Sequence, residues 1–216
     1  MDLKEAMLYP FKDPEWLRKA IVGSIIALLA FPLFFLGIPV LFGWGMAIAR
    51  DVRDGAPPSL PSWSRLTSYF LDGLKPFVAT ILWLTPGFLL LFISAVLPSG
   101  STSSESAILA STLLFVLAFG LMLIAGFASP FQFGIAAETG SFVSAADPVS
   151  VFRFVRSCPG PALAAWLVCV GSYYVLYTLG VLLCVVGCLP ALVYQYALWG
   201  HAFGQVLRSR KPLTTS

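Results

Sequence analysis

DGAPPSLPSWSRLTSYFLDGLKP, residues 54–76, is a polar island in the first half of a chain that otherwise avoids charge. Within it Trp63, Leu66, Phe70 and Leu74 recur at spacings of 3, 4 and 4, one stripe of a helix, while Ser64, Arg65, Ser68 and Asp72 fall largely on other faces. Pro57, Pro58 and Pro61 keep the approach extended. A helix of this kind lies flat at the headgroup level, where Trp63 and Tyr69 are at home. The same pattern would also serve a helix packed on a soluble neighbour. What flanks the island decides between them.

Of the 216 residues, 58% are hydrophobic and 11% charged, and the mean hydropathy is +0.88. A soluble domain carries about 25% charged residues, so this composition belongs in a bilayer. No Ser/Gly-rich linker divides the chain, and a single membrane domain over residues 1–216 is expected. The N-terminus mixes acids with bases, and the charge-free run behind it is too long for a signal-peptide core of about 7 to 15 residues, so no cleaved leader is expected. Cys158, Cys169, Cys184 and Cys188 form no C-x-x-C pair, which signals neither a zinc site nor a disulfide framework. Cys184 and Cys188 are able to oxidise if the helix is unwound there; otherwise they are small apolar fillers.

Charge-free runs give the organisation, because an ionised side chain at the centre of a spanning helix costs about 2.5 to 3.5 kcal/mol on an insertion scale. They cover residues 20–49, 76–104, 106–137 and 157–207. A crossing takes about 20 apolar residues. The second and third runs hold one crossing each, and the fourth holds two, turning near Gly187, Cys188, Leu189 and Pro190. The first run spans about 45 Å as helix, too long for one crossing and too short for two. With Pro32, Gly37 and Pro39 in its middle, it reads as a short or re-entrant hairpin buried among the other helices.

Parity supports that reading. If each of three hairpins returns to its starting side, all 13 Lys and Arg share one face and Glu105 alone marks the other. Cytoplasmic loops collect Lys and Arg, so both termini are expected in the cytoplasm, in the plasma or inner membrane. Asp13-Pro14 and Asp147-Pro148 each set a capping carboxylate before a proline at a helix start. The chain thus divides into units 1–53, 54–138 and 139–211, each an amphipathic segment followed by a hairpin, with a short disordered tail at 212–216. Trp16, Trp63, Leu66, Phe70 and Leu74 are the expected interfacial anchors. The fold class is therefore an all-α integral membrane protein, a bundle of three hairpins with interfacial amphipathic helices on the cytoplasmic side.

The order D-P-E-W-L-R-K, G-W-G-M-A-I-A-R, L-P-S-W and F-L-D-G-L-K, followed by E-T-G-S-F and C-P-G-P-A-L, resembles the prokaryotic multi-pass family catalogued as domain of unknown function 4013. The resemblance covers about residues 10–207. It implies a membrane protein and no activity, so no catalytic residue follows from it.

Residue chemistry is sparse. There is no G-x-S-x-G, H-E-x-x-H, Walker-type loop or dinucleotide fingerprint, and no Asp, Glu, Lys or Arg is clearly intramembrane. No catalytic residue, metal site or cofactor is expected, and the chain is not expected to be an enzyme. His201, the single histidine, is able to ligate a haem-type metal; its other role is a hydrogen bond inside the bundle, and nothing in the sequence offers a second ligand. Gly200 and Gly204 form G-x-x-x-G, and Gly45 with Ala49 is a second small-residue pair, both suited to close helix packing within the chain or with a partner. Membrane lipids, anionic ones among them, are expected partners, with another membrane protein as a further one; a net charge of +3 does not call for nucleic acid. The function that fits is a non-enzymatic scaffold, accessory subunit or lipid-organising element. The alternative is a channel or facilitator for a small, weakly polar solute, built on the broken first hairpin.

Overall fold

The computed structural model describes residues 2–29, 37–97, 104–182 and 187–210. Among them the chain is all helix, with no strand: α1 (Leu3–Leu8), α2 (Trp16–Leu29), α3 (Gly37–Arg53), α4 (Leu66–Val96), α5 (Glu105–Thr139), α6 (Phe142–Ala146), α7 (Pro148–Ser157), α8 (Pro159–Leu182) and α9 (Cys188–Ser209). Single 3-10 turns cover Tyr9–Lys12 and Trp63–Arg65. Three stretches are long and apolar enough to cross a membrane: Trp63–Val96, Glu105–Thr139 and Pro159–Leu182. Their outer faces are bare hydrocarbon. Leu113, Val116, Leu117 and Phe119 on α5 are each more than half exposed, and so are Phe88, Leu89 and Phe92 on α4. Apolar surface on that scale is stable in lipid and not in water; the protein is an all-α membrane protein.

The helices expected to form the first hairpin and the second arm of the last, α2, α3 and α9, are not among those three, and they are short or enclosed. α2 and α3 extend about 21 and 25 Å, less than the hydrocarbon thickness of about 30 Å. Pro32 and the turn between them lie outside the described residues, while Gly37 and Pro39 open α3. α9 carries Gln195, His201 and Gln205, yet Val193, Gln195, Ala197, Leu198, His201 and Phe203 are all buried. It packs chiefly on α3, α8 and α2. A helix wrapped in protein tolerates polar groups that a lipid-facing one does not. α9 opens at Cys188 with Gly187 at its N-cap, so Leu189 and Pro190, expected at the turn, belong to its first helical turn; residues 183–186 lie outside the described residues.

The island 54–76 departs from the flat-helix expectation. After one 3-10 turn its stripe runs without a break into α4, so that Leu66, Phe70 and Leu74 belong to the first turns of a spanning helix. Pro76 does not stop it: the residue lies inside α4, and the Thr80 hydroxyl donates to its carbonyl at 2.9 Å. Membrane helices tolerate an internal proline. Asp147, by contrast, caps α7 as its position predicts, accepting from the N–H groups of Val149 and Ser150. Bonds to the Ser150 hydroxyl and to those backbone groups hold its carboxyl below the usual range.

Contacts gather the helix ends that carry cations. Arg50 on α3 pairs with Asp72 of α4 at 2.7 Å and donates to the Ala137 carbonyl of α5. Arg210, after α9, pairs with Glu138 at 3.0 Å and lies over the Phe154 ring of α7. Gln205 bonds the backbone of Asp2. Glu105 opens α5 at its opposite end. The tail 212–216 lies outside the described residues.

Candidate functional site

Glycines seal the centre of the bundle. A Cβ on Gly73 would overlap the Pro39 carbonyl oxygen and the Gly43 nitrogen, and one on Gly43 would overlap the Tyr69 carbonyl, so α3 and α4 touch backbone to backbone. On the other side of α3, a Cβ on Gly200 would overlap the Gly45 carbonyl oxygen, and one on Gly204 would stand 2.8 Å from Ala49 O and 2.6 Å from Val52 Cβ. The four small residues singled out in the sequence, Gly45, Ala49, Gly200 and Gly204, thus meet in a single α3–α9 contact within the chain. Phe42, Phe133, Phe203 and Trp199 pack their rings around it at centroid distances of 5.9 to 6.3 Å.

The proposed anchors separate into two sets. Trp16 (36%) and Leu66 (43%) are exposed, while Phe70 and Leu74 are half-buried. Trp63 is built into the fold: it stacks on Trp44 at 4.7 Å, its Nε1 donates to the Lys19 carbonyl, and it fills the space over Gly23. Trp44 Nε1 in turn donates to the Pro61 carbonyl. The 54–62 segment is therefore strapped to α2 and α3.

Asp13 fastens that strap. Only 2% exposed, it accepts from Glu15 N at 2.7 Å, Lys19 Nζ at 2.7 Å and Leu60 N at 2.6 Å. Burial opposes its ionisation, yet the Lys19 and backbone donors outweigh burial and hold the carboxyl below the usual range. The sequence shows Asp13 as a helix cap; its bond to Leu60, far along the chain, has no local signal.

His201 is buried, its ring 4.5 Å from that of Tyr9 and its Nδ1 3.3 Å from Gln205 Nε2. No three His, Cys, Asp or Glu side chains gather in a metal-binding group among the described residues. Cys158, Cys169 and Cys188 are free thiols; Cys184 lies outside the described residues.

Two glutamines, Gln132 and Gln195, are buried inside the bundle. Gln132, fully buried on α5, accepts from the Thr80 hydroxyl of α4 at 2.8 Å, and its Nε2 has no partner among the described residues. Gln195, 3% exposed, donates through Nε2 to the Cys169 carbonyl at 2.8 Å, and its Oε1 has no partner.

Outside the sealed centre, α5 and α8 stand apart. Between them lies an apolar crevice of about 740 Å³, lined by Met122, Phe127, Pro130, Trp166, Tyr174 and Trp199 among others. Trp166 bridges its two walls, its Nε1 donating to the Phe127 carbonyl at 2.9 Å. Chemically the crevice offers dispersion contacts and no charge. It suits a hydrocarbon chain or an apolar helix face.

A family model described as protein of unknown function (DUF4013) matches residues 25–185, and the chain belongs to that family. No curated protein and no solved structure matches it.

Proposed function

We propose that this DUF4013 protein is a non-enzymatic membrane scaffold, accessory subunit or lipid-organising element of the plasma or inner membrane, with both termini in the cytoplasm. The observation that carries this reading is the apolar α5–α8 crevice, open beside a centre that glycine contacts close. A facilitator would need a polar path between the first hairpin and the third unit. There the α3–α9 contact is backbone against backbone, and the neighbouring pocket of about 230 Å³ beside Trp16, Trp44 and Val193 is apolar. A protein with a shut centre and an open flank holds something at its flank.

The α7 stripe supports lipid contact at the bilayer surface. Val149, Phe152, Arg153 and Arg156 are exposed on one face, while Val151 and Phe154 turn inward. Each nearby Lys or Arg adds about 1 kcal/mol on anionic lipid. α7 leads straight into α8, a helix long and apolar enough to cross the membrane, and this order supports a position for the stripe near the headgroups.

The test is site-specific photocrosslinking in native membranes from a probe at Phe127 in the crevice, with a second probe at Leu113 on the outer face of α5. A discrete protein or lipid adduct from Phe127 and only diffuse lipid labelling from Leu113 supports the reading. Equal diffuse labelling at both, together with solute flux through vesicles bearing the purified protein, would replace it with the facilitator.

A further inference from the structure

Next to the crevice, and sharing Tyr173 with it, a pocket of about 240 Å³ opens between α8 and α9. Tyr173, Leu176, Tyr177, Cys188, Leu192 and Gln195 are among its walls, and among the described residues no Asp, Glu, Lys, Arg or His lines it. Gln195 is held in a fixed sense. Its Nε2 donates a hydrogen bond to the Cys169 carbonyl, an oxygen that only accepts, so Oε1 is left as a buried acceptor with no partner among the described residues. Trp199 Nε1 donates to the same carbonyl at 3.3 Å and fixes the helix pair at that level. A buried acceptor without a donor carries its desolvation cost uncompensated. A ligand that supplies one O–H recovers that cost.

We propose that this pocket binds a neutral, hydroxyl-bearing lipid, its O–H donating to Gln195 Oε1 and its hydrocarbon chain leaving past Tyr173 into the α5–α8 crevice. The absence of any charged lining residue disfavours a phosphate, carboxylate or ammonium head, because an uncompensated ion at this depth is costly. The volume equals about eight water molecules at about 30 Å³ each, room for a small polar head and its first carbons. The tyrosine rings at 173 and 177, parallel to within 12°, give that head an aromatic wall. The inference rests on the preceding reading only in using the crevice for the chain; the polar end stands on Gln195 alone.

The experiment uses the full chain in phosphatidylcholine nanodiscs with a diazirine-bearing 1-oleoylglycerol as the photoprobe. The competitors are unlabelled 1-oleoylglycerol and its dimethyl ether, which keeps the chain and lacks the donors. Labelling mapped to α8 and α9, displaced about tenfold better by the alcohol than by the ether, is the expected result. In Gln195→Met the two competitors should become equal. Equal competition in the unaltered protein overturns the proposal, as does labelling outside these helices or a preference that survives Gln195→Met; water alone would then satisfy Oε1. If Gln195→Met does not fold, the alcohol and ether comparison on the unaltered chain still decides. A crevice adduct from Phe127 without alcohol preference would leave the scaffold reading standing and remove this one.

Discussion

Replacing Gly73 by alanine tests the sealed centre with a single methyl group. The new Cβ would lie inside contact distance of the Pro39 carbonyl oxygen and the Gly43 nitrogen, and 2.9 Å from Phe42 Cβ. Two of these are backbone atoms, so no rotamer change relieves them, and α3 must move off α4. Overpacking of this kind costs about 1 to 3 kcal/mol, and a backbone clash belongs at the upper end. Alanine returns about 1 kcal/mol of helix propensity. The net loss is about 2 kcal/mol, which for a chain of this size lowers Tm by about 4 to 8 °C. Gly171, on α8, has nothing within 4 Å of a built Cβ, and supplies the control. Gly171→Ala should leave Tm unchanged or raise it by about 2 to 4 °C. Thermal unfolding of both variants in the same detergent, followed by size-exclusion recovery, measures the difference. A Gly73→Ala protein as stable as the unaltered one would refute the backbone contact between α3 and α4.

Asp13→Asn removes the buried partner of Lys19 and should cost about 3 kcal/mol, seen as faster tryptic cleavage at Arg53 and Arg65 as the strap loosens. Because the Asp13 carboxyl is held below its usual range, its contribution is complete above about pH 4, the unfolded value, and fades as pH falls through the lower folded value. Trp fluorescence from the stacked Trp44 and Trp63 should therefore stay flat from pH 7 to 5 and change only in stronger acid; a change centred near pH 6 would exclude Asp13 as the clasp. Gly204→Leu should destabilise the monomer through Ala49 and Val52, with native mass unchanged if the G-x-x-x-G motif serves only the α3–α9 contact; loss of a larger species would assign it to assembly.

Local chemistry made much of this fold readable. Charge-free runs marked α4, α5 and α8 because ions are excluded from hydrocarbon, and Asp147 marked the start of α7 because a capping carboxylate acts within a few residues. The island misled in one respect. Its helical stripe is real, but nothing local distinguishes a helix that stops at Pro76 from one that continues through it, as α4 does. The clasp of Asp13 on Leu60 and the bond from Gln195 to the Cys169 carbonyl join residues remote in sequence. Such groups become visible only when the fold fixes which atoms are satisfied. The small residues of α3 and α9 were legible as packing elements, but their mutual pairing was not.

Everything in the membrane assignment turns on which ends of the helices share a side. Cysteine substitution at Arg53, Glu105 and Arg208, in a protein cleared of its own cysteines, with an impermeant maleimide on intact cells, reads this directly. Sites 53 and 208 should be protected until the cells are opened, and site 105 labelled at once. Labelling that divides 53 from 208 would contradict the account.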